Sequence, residues 1–329
     1  MTVNTLRVIM AALLGLLLVS PTASAASQYE RQYERYVALG DSYTSGPGIP
    51  WPRLDRLACY TSTNNYPAWL ADNLGLPSYT DGSCGGADTT NMLQPQTPPL
   101  PFGTHPPQFS FLRADTDLVT IGIGGNDFGV FGTLTSRCPE LRSSDPTGSP
   151  CRNEFTVNGV DTMQQKVAMT GDRVRAVLSG VHERSPDAKV VLVGYPRIVP
   201  PTGTCPNVLP IADGDLRWLD EVEQALNNAL ETAANADGRT TFVDMYPASL
   251  GHDACAGQSA WIQGKDNNLL AAIKYHPFKA GMVGVANEIS KTLGARATAG
   301  KREMPRSIAK SVIGDKSTVT RLTKAGAGR

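Results

Sequence analysis

Ser42, Gly86, Asn126 and His276 are the residues of this 329-residue chain whose types and settings could do acyl-transfer chemistry. Ser42 lies in Gly40-Asp41-Ser42-Tyr43-Thr44-Ser45-Gly46, directly after the apolar run Tyr36–Leu39. A serine on the turn leaving a buried strand has a fixed backbone and an exposed hydroxyl, as a nucleophile activated by a nearby base requires. The competing reading is an ordinary turn with a helix-capping Asp or Ser. Asn126 follows Gly122-Ile123-Gly124-Gly125. Its amide could stabilise a tetrahedral oxyanion, a donor worth ~3 kcal/mol in known cases; an Asx turn satisfying its own loop competes. Gly86, in Ser83-Cys84-Gly85-Gly86-Ala87, could offer an unhindered backbone N–H or be a plain turn glycine. His276, just before the last periodic segment, could act as general base on Ser42 or be merely structural. His105, His182 and His252 have no comparable setting, and His182 reads as a solvated helix-end residue.

These residues need a scaffold. Short apolar runs at Tyr36–Leu39, Asp117–Ile123, Lys189–Gly194 and Thr241–Val243 read as buried strands. Helical periodicity covers 161–184 and 214–235, with a helical patch near Trp69. Pro277–Leu293 reads as a helix with Pro at its first position and Gly294 just past its end. Residues 132–160, holding Cys138 and Cys151, read as a loop. Strands separated by helices imply an α/β fold with a parallel sheet covered on both faces. In such sheets ligands bind at the carboxyl ends of the strands, where Ser42 and Asn126 fall.

Lys and Arg number 30, as do Asp and Glu, and apolar residues make up 41 %. The composition is globular and lacks the basic footprint of a nucleic-acid partner. At the N-terminus, Arg7, the apolar run Val8–Val19 and Ala23-Ser24-Ala25 form a secretory signal layout, so 1–25 is read as a cleaved signal peptide and the protein as secreted. All six cysteines lie beyond that site, and outside the cytosol disulfides are the default. Six cysteines allow 15 pairings and the sequence does not choose among them. Pairing neighbours, Cys59–Cys84, Cys138–Cys151 and Cys205–Cys255, closes the shortest loops. No CxxC or HExxH spacing is present, so neither a metal nor another cofactor is expected. Residues 296–329 form a basic tail with eight basic and two acidic residues in 301–329. It reads as a solvated, disordered segment, with contact to anionic lipid or wall polymer as the sharper alternative.

Taken together, GDSYTSG at 40–46, SCGGA at 83–87, GIGGNDF at 122–128 and HPFKAG at 276–281 resemble the SGNH, or GDSL, hydrolase family, in that family's order. The resemblance spans roughly 35–293 and is similar to the secreted actinobacterial, Streptomyces-type, lipases and esterases. Those share three disulfides, a Pro-Pro-Gln (Pro106-Pro107-Gln108 here) and a Gly-His-Asp-x-Cys stretch (Gly251–Cys255 here). It implies a three-layer α/β/α sandwich with a central parallel sheet, flavodoxin-like, over 26–295. It also implies a carboxylic ester hydrolase, a lipase or esterase forming an acyl-enzyme on Ser42. His276 would be the base, and the N–H groups of Ser42 and Gly86 with the Asn126 amide would form the oxyanion hole. The family usually has Asp three residues before the His, where this chain has Ile273. A main-chain carbonyl of Ile273 or Lys274 would then orient the imidazole, unless Asp253 or Asp266 supplies a carboxylate.

Other classes compete with this reading. An α/β-hydrolase needs a G-x-S-x-G elbow, and the required Gly after Ser42 is Thr44. A phospholipase A or a carbohydrate deacetylase would share every catalytic residue. Ile49, Trp51, Phe128 and Phe131 are expected near the crevice and favour an acyl chain, its length preference set by loops 46–60 and 129–160. A non-catalytic secreted binding protein would not need all four segments. A monomer with an ester or lipid substrate is expected.

Overall fold

The structure is a computed structural model and describes residues 32–97 and 103–295. The signal segment and the basic tail expected from sequence lie outside the described residues. In chain order the elements are β1 (Tyr36–Gly40), α1 (Ser42–Ser45), α2 (Tyr66–Asn73), β2 (Thr80–Asp81), β3 (Leu118–Gly122) and α3 (Val130–Leu141). They continue with α4 (Pro150–Phe155), β4 (Thr156–Val157), β5 (Val160–Asp161), α5 (Thr162–Arg184) and β6 (Lys189–Val193). The last are α6 (Asp215–Asp237), β7 (Thr240–Val243), α7 (Met245–Ala248) and α8 (Lys279–Thr292).

Five strands form one parallel sheet in the order β2-β1-β3-β6-β7, and β4 and β5 pair as a small antiparallel hairpin. The central strands are YVALG, LVTIG and KVVLV, nearly all buried, as strands covered on both faces must be. Alternate residues part to opposite faces. Val37, Leu39, Val119, Ile121, Val190 and Leu192 pack with Val174, Val177 and Leu178 of α5 and Val222 and Leu230 of α6. Tyr36, Ala38, Leu118, Val191 and Val193 pack with Trp69 and Leu70 of α2 and Met282, Val285 and Ile289 of α8. Two helical layers thus enclose the sheet, the three-layer sandwich expected from sequence.

Helix ends follow side-chain chemistry. Asp161 caps α5 by accepting from the N–H groups of Met163 and Gln164. Asn65 caps α2, and Gly238 closes α6 in the left-handed conformation. The structure corrects three expectations. Residues 132–160 are not a loop: most of α3, together with α4, falls there, joined by Cys138–Cys151. Helix α8 begins at Lys279, because Pro277 bridges to Ile262 and Phe278 is the cap. His182 is buried, with Nε2 3.1 Å from Asp237 Oδ2. The remaining cysteines pair as Cys59–Cys84 and Cys205–Cys255.

Candidate active site

Three neighbouring strands deliver the site. Strand β1 ends at Gly40, whose φ of +147° and surroundings exclude a side chain: an added Cβ would lie 2.2 Å from Thr44 Oγ1 and 2.5 Å from Gly122 O. Gln108 clamps this glycine at both ends, its Oε1 accepting from Gly40 N–H (2.7 Å) and its Nε2 donating to Gly40 O (2.9 Å). The chain then turns into α1. Asp41 caps the turn by accepting from Tyr43 N–H at 2.8 Å, and Ser42 follows at the carboxyl edge of the sheet.

His276 arrives from the segment before α8. Its Nε2 is 2.8 Å from Ser42 Oγ, and its Nδ1 is 2.7 Å from Lys274 O. A carbonyl can only accept, so the proton sits on Nδ1 and Nε2 presents its lone pair to the serine hydroxyl. Between the two expected carbonyls the structure places Lys274 on the imidazole; the Ile273 carbonyl accepts the backbone N–H of His276 instead. Neither alternative carboxylate is hydrogen-bonded to the imidazole: Asp253 accepts from Cys255 N–H, and Asp266 pairs with Lys265. The imidazole is buried beside the rings of Tyr43 (5.5 Å) and Phe131 (5.4 Å). Burial disfavours its charge and lowers its pKa to about 4, with only the neutral Lys274 carbonyl opposing.

Asn126 follows β3. Its Nδ2 donates one hydrogen to Ala87 O at 2.9 Å, which fixes the amide, and the second hydrogen meets no acceptor among the described residues. The same bond ties the β3 turn to the turn holding Gly86, whose φ of +78° is left-handed. The backbone N–H groups of Ser42 and Gly86 meet no acceptor among the described residues. Asp127 anchors the β3 turn, accepting from Thr89 N–H (3.0 Å), Thr89 Oγ1 (2.5 Å) and Arg173 (3.1 Å).

Beside Ser42 and Asn126 opens an apolar cavity. Its walls are Val130, Phe131 and Leu134 of α3, Val167 of α5, Ile198, Val199, Leu209 and Ile211 of the loop before α6, and Leu219, Val222 and Leu226 of α6. Of the four apolar residues expected at the crevice, Phe131 alone lines it. Ile49 is buried under α8, Trp51 is exposed, and Phe128 lies beneath the Arg173 guanidinium at 3.9 Å. The loop 196–211 and α6 were missed from sequence as pocket walls, because an apolar helix face reads the same whether it meets the sheet or a cavity. Glu223 also reaches the cavity; its carboxyl accepts from Ile198 N–H, and burial raises its pKa to about 8. Cys59, Cys84 and His105 group their ligand atoms within 4.8 Å, but the two sulfurs are joined as a disulfide and offer no thiolate to a metal.

A family model for GDSL-like lipases and acylhydrolases matches residues 38–282. The chain belongs to the GDSL-like lipase/acylhydrolase family. It is thereby a carboxylic ester hydrolase. Lipase 2 of Streptomyces coelicolor is 38 % identical over 254 residues, covering 76 % of this chain and 83 % of the relative. Among solved structures, phospholipase A1 of Streptomyces albidoflavus has a TM-score of 0.60 at 27 % identity, covering 79 % of this chain and 99 % of that one. The extracellular lipase of Streptomyces rimosus has a TM-score of 0.60 at 25 % identity, covering 80 % and 100 %. This GDSL hydrolase therefore shares its fold with Streptomyces ester hydrolases.

Proposed function

We propose that this GDSL hydrolase is a secreted serine lipase or esterase that cleaves lipid carboxylic esters through a Ser42–His276 dyad. The observation that carries the reading is the chain Ser42 Oγ, His276 Nε2, His276 Nδ1, Lys274 O, at 2.8 and 2.7 Å, beside an apolar cavity. His276 takes the proton as Ser42 Oγ attacks the ester carbonyl. The negative oxygen of the tetrahedral intermediate accepts from Ser42 N–H, Gly86 N–H and the free Asn126 hydrogen. Collapse passes the imidazolium proton to the leaving alcohol and leaves an acyl-enzyme. Water, deprotonated by the same imidazole, releases the acid. With a carbonyl in place of a carboxylate behind the imidazole, the site leans more heavily on its oxyanion donors.

The apolar walls suit an acyl chain rather than an acetyl group on a sugar. Export is supported by the N-terminal sequence layout and by the extracellular lipase of like fold. A phospholipase A reading is favoured by the likeness to phospholipase A1, and the same cavity would take the fatty acyl chain of a glycerophospholipid. Labelling with a fluorophosphonate, read by intact mass and peptide mapping, tests the chemistry. One adduct on Ser42, lost in His276→Ala, is expected; no adduct on folded, oxidised protein overturns it. Rates on nitrophenyl, glycerol and phosphatidylcholine esters of graded chain length then separate lipase, esterase and phospholipase.

A further inference from the structure

Tyr195 lies two residues beyond β6, the strand paired with β3 on the side away from β1. Its phenol crosses the end of β3. The hydroxyl accepts from Gly125 N–H at 2.8 Å and donates to Asp41 Oδ2 at 2.5 Å. Gly125 immediately precedes Asn126, and Asp41 immediately precedes Ser42. One oxygen atom therefore joins the two turns that carry the nucleophile and the side-chain oxyanion donor. The phenol is held from behind: Tyr195 N–H donates to Asn227 Oδ1 (2.8 Å), and Asn227 Nδ2 donates to Tyr195 O (3.1 Å), fixing the residue to α6. The Tyr43 ring meets it edge-on at 5.2 Å. A Cβ on Gly125 would come within 3.2 Å of the ring, a contact tighter than most, so a side chain there would push the phenol aside by a few tenths of an ångström.

We infer that Tyr195 is a positioning residue for the oxyanion hole, setting the distance between the Asn126 turn and the Ser42 turn through its single hydroxyl. The inference rests on the reading of Asn126 as an oxyanion donor. A bridge with this role matters when charge develops on the substrate oxygen, because a donor displaced by a fraction of an ångström loses much of its effect there. Packing does not require the hydroxyl, since phenylalanine fills the same space.

The test is a double-mutant cycle on a soluble nitrophenyl ester, with kcat and KM measured separately. Tyr195→Phe is expected to lower kcat by about 10- to 100-fold with KM changed less than about twofold. Asn126→Ala alone reads the donor itself. In the Asn126→Ala background, Tyr195→Phe is expected to change kcat by less than about twofold, because the group it positions is gone. A fully additive loss, or an unchanged kcat for Tyr195→Phe, overturns the inference while leaving the dyad reading intact. A silent Asn126→Ala overturns both the inference and the oxyanion assignment. Should Tyr195→Phe fail to fold, Asp41→Asn disturbs the same bridge from its other end, and the same coupling to Asn126→Ala is expected; additivity there overturns the inference equally.

Discussion

The state of His276 gives a sharp prediction about acid. Its imidazole ordinarily titrates at 6.5, but burial against Tyr43 and Phe131 lowers it to about 4. That gap corresponds to about 3 kcal/mol of preference for the neutral ring in the fold. The unfolded chain then binds more protons between pH 6.5 and 4, so this residue's contribution to stability is lost as pH falls through that window. Buried carboxyls oppose it: Asp41 is raised to about 7 and Glu223 to about 8, and each favours the fold as pH falls. Stability of the wild type alone would mix these effects, so the difference from His276→Gln is the informative quantity. Denaturant unfolding at pH 7 and pH 4 should show the wild type losing more stability than His276→Gln by roughly 2–3 kcal/mol. The kinetic counterpart is kcat/KM for a neutral ester, which reports the free enzyme's base. Its His276 limb should lie near pH 4, and Asp41→Asn should remove any limb near 7. A limb at 6–7 that survives Asp41→Asn, with no stability difference between pH 7 and 4, would refute the claim that His276 is desolvated and backed only by a carbonyl.

Three further variants test the geometry. Asn126→Ala should lower kcat by about 10²- to 10³-fold, with KM nearly unchanged, as removal of one oxyanion donor does elsewhere; steady-state rates check this. The same variant leaves Ala87 O without its partner and should cost about 1 kcal/mol in chemical unfolding. Leu219→Trp fills part of the apolar cavity, so kcat/KM for decanoyl esters should fall at least about tenfold while acetyl esters are hardly affected; equal losses on both would place the acyl chain elsewhere. Ile273→Asp puts a carboxylate where the family usually has one, yet Nδ1 already donates to Lys274 O. No gain in kcat is expected, and a tenfold rise would show that the carbonyl orients poorly.

The sheet and its helices were legible because burial on both faces forces continuous apolar strands, and an amphipathic face repeats every 3.6 residues. Strand β2 escaped notice, since Thr80–Asp81 is only two residues at the sheet edge. Helices α3 and α4 escaped too: Gly132, Pro139, Pro146 and Gly148 give their region a loop-like composition, although the neighbour pairing Cys138–Cys151 that joins them was among the sequence expectations. Ser42 and His276 stood out because each sits beside a strand end or helix entry in a distinctive run. The choice between Ile273 and Lys274 could not be read, because it depends on which way a carbonyl points.

Tyr195 and Asp41 show a different limit. Asp41 was visible only as half of a Gly-Asp-Ser turn, where capping explains one of its oxygens and says nothing of the other. The second oxygen meets a tyrosine 154 residues away, in a Gly-Tyr-Pro run that looks like the end of any buried strand. What makes that tyrosine distinctive is strand order: β6 lies next to β3, which lies next to β1, so a side chain leaving β6 can span both turns. Spacing along the chain carries no trace of this adjacency. A parallel sheet gathers chemistry from distant segments at its carboxyl edge, and the groups that space the catalytic turns are therefore set by topology.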